Sequence, residues 1–193
     1  MRRAFFGGSF DPFHNGHRAV VMELDARGLC DRVMILPAAL SPGKHPPRAD
    51  GEHRVIMAVL GVSGLDHASV LDLELHRPGP SYTVDTLAEL KGRYPDDTWS
   101  LVVGADSWRE FRSWRDPDRL LELARVIVYP RAGFELDPST LPPRATLLED
   151  FRVTVSSTDI RRRLAAGEAV DELLSGRVLA HIRRHGLYAD DGG

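Results

Sequence analysis

Ala4-Phe5-Phe6-Gly7-Gly8-Ser9-Phe10-Asp11-Pro12-Phe13-His14-Asn15-Gly16-His17 is the stretch on which the reading of this fold turns. A short apolar strand, Ala4–Phe6, runs into a loop of glycine, proline and histidine. From Asn15 to Leu29 the pattern becomes helical, with Asn15 as candidate N-cap and Gly28 near the far end. A strand that passes through a glycine turn into a helix is the unit from which parallel sheets are built.

The same alternation repeats outward from this unit. Arg32–Leu36 reads as a strand stopped by Pro37, and a breaker-rich loop from Ala38 to Ala49 follows it. Asp50 is predicted to cap a helix through about Val62, Ser69–Leu75 alternates as a strand, and Thr83–Tyr94 reads as a helix. Trp99–Val103 and Val126–Tyr129 are apolar runs suited to the middle of a sheet, with a mostly helical Arg109–Ala124 between them. After a second breaker-rich loop, Arg131–Pro143, come a final strand at Ala145–Leu148 and two or three short helices from Thr158 to about His185. Strands separated by helices predict an α/β fold, a doubly wound parallel sheet covered on both faces. Ligands of such sheets gather beyond the carboxyl ends of the strands, so the loops after Phe6, Leu36, Val103 and Tyr129 are expected on one rim.

Bulk properties narrow the class further. A chain of 193 residues suits one moderately large domain, or one domain with a small C-terminal extension. A net charge of −3 gives no sign of a nucleic-acid or membrane partner. The single cysteine, Cys30, precludes an internal disulfide and suggests a reducing cytoplasm. No signal peptide or membrane-spanning run is legible. No GxGxxG follows a strand, which speaks against a nicotinamide-cofactor dehydrogenase.

Two segments carry chemistry. In the first loop, Gly7 and Gly8 let the backbone turn and bring amides close to a ligand, and Ser9 adds a hydroxyl. His14 and His17 stand three apart at a helix start, where free amides and partial positive charge favour phosphate. Gly16 is expected to clear the approach between them. This pattern asks for a triphosphate; a zinc site on the His pair lacks a third ligand within the motif. The second segment, Val155-Ser156-Ser157-Thr158-Asp159-Ile160-Arg161, has the spacing of a capping box from Ser156 to Asp159. Its surplus of Ser157, Thr158 and Arg161 suggests a second anion site, with Arg161 as a charge-assisted fork. Arg162 and Arg163 read as a solvated face.

These strings resemble the signatures of the HxGH nucleotidyltransferase superfamily. The resemblance implies a Rossmann-like nucleotidyltransferase domain over residues 1–193, with a small helical C-terminal part at about 156–188. It implies that ATP lies against Gly7, Gly8, Ser9, Phe10, His14, Gly16, His17, Ser156, Ser157, Thr158 and Arg161, with His14, His17 and Arg161 as catalytic residues. Mg²⁺ is implied as the cofactor, bound mainly through ATP phosphates and with no metal ligands assigned on the chain.

Three further segments resemble the nicotinate mononucleotide adenylyltransferases. Ser81-Tyr82-Thr83-Val84-Asp85-Thr86-Leu87 is similar to a segment in which the backbone around Tyr82 and Thr83 receives a pyridine carboxylate. Gly104 and Asp106 match a pair along the ATP ribose, and Trp114, ten residues past the glycine, matches a tryptophan that stacks on the pyridine. The tail from Arg177 to Tyr188 resembles that family's last helix. The loop Ser41-Pro42-Gly43-Lys44-His45-Pro46-Pro47 departs from the family's Pro-Pro-His-Lys run, so either Lys44 or His45 is expected at the acceptor phosphate. Arg131 has two readings, a partner for acceptor charge or a surface arginine. The substrates implied are ATP and nicotinate mononucleotide; assembly stays open, with a homo-oligomer among the outcomes.

Overall fold

A computed structural model describes residues 1–43 and 45–189. Along the chain, β1 (Arg2–Gly8) leads to α1 (Asn15–Ala26), β2 (Arg32–Pro37) to α2 (Gly51–Gly61), and β3 (Ala68–Val70) to α3 (Thr83–Arg93). β4 (Thr98–Gly104) passes directly into α4 (Ala105–Arg109), a 3₁₀ turn at Phe111–Ser113 and α5 (Pro117–Leu123). β5 (Arg125–Tyr129), β6 (Thr146–Leu147), α6 (Ser157–Ala165) and α7 (Gly176–Arg184) complete it. All neighbouring strands pair in parallel, in the order β3-β2-β1-β4-β5-β6. The order reverses between β1 and β4, which end in Gly8 and Gly104, and that reversal opens a crevice beyond the strand ends.

Alternation within the strands sorts the sheet's side chains into two cores. Ala4, Phe6, Val33, Ile35, Val102 and Ile127 face one side with Val20, Val21 and Leu24 of α1, Met57 of α2, Ile160 of α6 and Val178, Leu179 and Ile182 of α7. Phe5, Met34, Leu36, Leu101, Val103, Val126 and Val128 face the other, with Leu87 and Leu90 of α3 and Leu120 and Leu123 of α5. Covering both faces explains why these strands read as nearly unbroken apolar runs. Each buried large apolar side chain contributes about 1.5–3 kcal/mol. Among the described residues, no helix is long and apolar enough to cross a membrane.

Four local expectations are corrected. The N-cap of α1 is His14, not Asn15, and Asp50 precedes α2 without a side-chain capping bond. The strand predicted over Ser69–Leu75 is confined to Ala68–Val70: its ladder ends at the bond from Leu71 N to Ile35 O, and the bond from Leu75 N to Asp72 O turns the chain away. The helix predicted over Arg109–Ala124 is broken, because Trp114 is extended and Asp116 adopts φ 48° before Pro117. A proline restricts the residue before it away from the helical region, so the break falls there.

Candidate active site

His14 and His17 cap each other. The backbone N–H of His17 donates to His14 Nδ1 at 3.2 Å, and the N–H of His14 donates to His17 Nδ1 at 3.2 Å. The rings stack with centroids 3.6 Å apart and 13° between planes. Because each Nδ1 accepts, its lone pair is occupied and the ring proton of the neutral imidazole sits on Nε2. Both histidines therefore carry an N–H free to donate to a phosphate oxygen. His17 rests among the rings of Phe6, Phe10 and Phe13, with centroids 6.0, 4.9 and 5.2 Å away. Burial, then the nearby charge of Arg131, pulls His14 down to about 3. His17 is lowered well below its ordinary value by burial, by His14 and by Arg131.

Packing within the protein also bears on Gly16. A Cβ there would stand 2.7 Å from Val153 Cγ1 and 3.0 Å from two atoms of the His14 ring. The protein's own packing thus calls for glycine at this position.

The second motif docks onto the first loop. Ser156 caps α6, its Oγ accepting from Asp159 N at 3.1 Å. Ser157 Oγ donates to Pro12 O at 3.0 Å, and Arg161 Nη1 donates to Asp11 O at 2.6 Å. Thr158 is exposed, with its Oγ1 3.3 Å from Arg161 Nη2. The start of α6 is thus held against the loop that leads into α1. Arg162 and Arg163 pair with Asp159 at 3.1 and 2.7 Å on the outside.

Buried polar residues fix this arrangement. Asp11 accepts from the backbone N–H of Arg48 (2.8 Å) and Ala49 (3.1 Å) and from the hydroxyl of Tyr188 (2.6 Å). Arg54, 2% exposed, donates to the carbonyls of Ala49, Ser9 and Ala38 at 3.1, 2.9 and 2.6 Å. Burial lowers the Arg54 guanidinium, opposed by the charge of Asp11. One interior cation thereby ties the loops after β1 and β2 to the start of α2. Asp11 lies inside the quoted string, whereas Arg54 reads as one polar residue on a helix and carries no signal of burial.

Asp106 and Arg131 form a pair at 2.9 Å, leaving Asp106 Oδ1 buried without a partner. Gly104 admits this pair: a Cβ there would meet Asp106 Oδ1 at 2.5 Å and Arg131 Cδ at 2.9 Å. Arg131 bridges to Val153, on the histidine side of the crevice. It is not among the residues that line the adjoining cavity.

That cavity, of about 510 Å³, is lined by Gly7, Gly8 and Ser9 of the first loop, by Ser41 and Pro42, and by Tyr82, Thr83 and Trp114. Its size suits a small-molecule ligand. α3 begins after Tyr82 without a side-chain cap, so no side chain occupies the amides of its first turn. Of the other expected residues, Phe10 is buried and its ring supports His17 edge-on, while His45 is exposed and outside the cavity lining. Lys44 lies outside the described residues. The sequence reading also passes over Glu74, Glu110 and Arg115, which join this lining.

Residues 5–163 match the cytidylyltransferase-like family. A protein of Thermus thermophilus named "Probable nicotinate-nucleotide adenylyltransferase" is 40% identical over 97% of this chain and 100% of its own length. One of the same name from a Roseiflexus species is 40% identical over 94% of this chain and 95% of its own. Among solved structures, Plasmodium falciparum nicotinic acid mononucleotide adenylyltransferase complexed with NaAD superposes with a TM-score of 0.82 over 97% of each chain, at 20% identity. The same enzyme complexed with APC gives 0.78, again at 20% identity, over 97% of this chain and 96% of the other. At that identity the likeness is one of fold.

Proposed function

This chain belongs to the cytidylyltransferase-like family and to the nicotinate-nucleotide adenylyltransferases, and we propose that it transfers AMP from ATP to nicotinate mononucleotide. The products are nicotinate adenine dinucleotide and pyrophosphate. The observation that carries the reading is the docking of the start of α6 on the first loop, Arg161 on Asp11 O and Ser157 on Pro12 O, with Gly7, Gly8 and Ser9 of that same loop lining the cavity.

In the proposed reaction a phosphate oxygen of the mononucleotide attacks the α-phosphorus of ATP in line. A new O–P bond forms, the bond to the β-phosphate oxygen breaks, and pyrophosphate leaves. The attacking phosphate is already anionic, so no residue needs to remove a proton. The chain's contribution is placement and charge. His14 and His17 donate from Nε2 to oxygens of the α- and β-phosphates, where negative charge grows. Arg161, Ser157 and Thr158 hold the departing pyrophosphate at the start of α6. Gly104 and Asp106 lie along the ATP ribose, and Arg131 supplies charge from the histidine side. Tyr82 and Thr83 receive the pyridine carboxylate on backbone amides, while Trp114 stacks on the ring.

Mg²⁺ is proposed to arrive on the ATP phosphates. The residues present fit that route: the phosphate-facing groups are N–H and O–H donors, and among the described residues no three acids, cysteines or imidazoles form a cage. Bound there, the ion would supply positive charge to the leaving pyrophosphate.

The test supplies the purified chain with ATP, Mg²⁺ and, in turn, nicotinate mononucleotide, nicotinamide mononucleotide or phosphopantetheine, and follows pyrophosphate release with chromatography of the product. Nicotinate mononucleotide is expected to give the highest kcat/KM. A preference for phosphopantetheine would refute the acceptor assignment.

A further inference from the structure

Nicotinate and nicotinamide mononucleotides have nearly the same shape and differ by one negative charge on the ring substituent. Backbone amides at the start of α3 donate to an oxygen of either group, and a stacked indole does not distinguish them. A charged side chain at the cavity adds to the selection between acid and amide.

Three charged residues are among those that line it: Glu74, Glu110 and Arg115. Arg115 is the one basic side chain among the described lining residues. It follows the stacking candidate Trp114 directly in sequence, and its guanidinium carbon lies 4.6 Å from the centroid of the Tyr82 ring. Its Nη1 is 3.2 Å from Asp85 Oδ2, across the mouth between the Trp114 segment and the first turn of α3. Both partners of that pair are more than half exposed, at 58% and 52%, so the contact is weakly held and yields readily to a ligand carboxylate. The two glutamates bias the cavity the other way: a carboxylate repels nicotinate and accepts from an amide NH₂. Glu74 is 4% exposed and accepts from Thr86 Oγ1 at 2.8 Å. Its burial raises its pKa.

We infer that Arg115 is a specificity-determining residue that strengthens the preference of the acceptor cavity for a pyridine carboxylate over the corresponding carboxamide. The inference rests on the acceptor reading given above. On approach of the acid, the guanidinium exchanges Asp85 for the ring carboxylate while remaining over Tyr82.

The experiment compares kcat/KM for nicotinate and nicotinamide mononucleotides in the wild type, Arg115→Ala and Arg115→Lys. The wild-type measurement tests the acceptor reading by itself: no turnover of either mononucleotide, or a preference for the amide, removes that reading and this inference with it. Given a preference for the acid, Arg115→Ala is expected to reduce the acid-to-amide ratio about tenfold, or roughly 1.4 kcal/mol. The loss should fall on the acid, with the amide nearly unchanged. Arg115→Lys keeps the charge without the planar fork and should retain part of the ratio. An unchanged ratio in Arg115→Ala, or an equal fall on both acceptors, overturns the role of Arg115 and leaves the acceptor reading standing.

Discussion

Gly16→Ala is a small change with a large consequence at this site. Ordinary carbon–carbon contacts lie at about 3.5–4.0 Å, whereas the new methyl would meet Val153 Cγ1 at 2.7 Å and the His14 ring at 3.0 Å. The overlap with Val153 is therefore about 1 Å. His14 has little room to yield, since it is stacked at 3.6 Å on His17 and bonded to its backbone. Overpacking of this kind costs about 1–3 kcal/mol, while replacing glycine by alanine in a helix returns about 0.5–1 kcal/mol. The balance is a loss of up to about 2.5 kcal/mol of stability. A catalytic group displaced by about 1 Å costs on the order of 100-fold in rate. Urea unfolding with and without ATP, beside steady-state kinetics, checks both figures. Adding Val153→Ala removes the worse contact and should restore part of the turnover without restoring stability. A Gly16→Ala protein as stable as wild type, with only a raised KM for ATP, would show that the glycine makes room for ligand after all and refute the packing argument.

Other perturbations separate the remaining roles. Arg54→Met leaves the carbonyls of Ala49, Ser9 and Ala38 without their buried donor. Each unmet group costs about 1–3 kcal/mol, so the urea midpoint should fall steeply and a wild-type midpoint would contradict the tie. His17→Ala should lower kcat by about 10²–10³, read by pyrophosphate release; near-normal turnover would remove its role. His14 and His17 also predict acid sensitivity. Both are depressed in the fold, so the unfolded chain binds more protons once pH drops below about 6.5. Stability is complete above that value and declines toward the folded pKa of His14, about 3, by up to about 1.4 kcal/mol per pH unit for each histidine. His17→Ala should flatten that slope in pH-dependent urea titrations, and an unchanged slope would count against the assignment.

The parts of the fold that sequence reveals are those that one physical rule controls. β1, β2, β4 and β5 are buried on both faces, so their apolar runs stand out, and the glycines after β1 mark the turn. β3 is harder to read, because apolar alternation continues through Leu71, Leu73 and Leu75 after the ladder has ended. Those leucines are drawn inward by tertiary packing, with Leu75 closing on Gly51. The break before α5 is legible at Asp116-Pro117, but the helical periodicity on either side masks it. At the site, the phosphate motifs are local strings and can be read directly. Arg54, Tyr188 and Arg115 act through partners 45, 177 and 30 positions away, a distance no local pattern encodes. Asparagine is a common capping residue, so propensity points to Asn15 at the start of α1; two imidazoles sharing that task have no propensity to betray them.

That shared task restricts which molecules suit the nucleotide end of the crevice. With both inward nitrogens committed to the chain, the two rings can offer only hydrogen, never a lone pair, to whatever enters. Sulfonates, phosphonates and carboxylates are therefore the mimics to try there, and amines or guanidines should be refused however well their shapes match. An inhibitor series that alternates such headgroups on one scaffold would read that polarity directly.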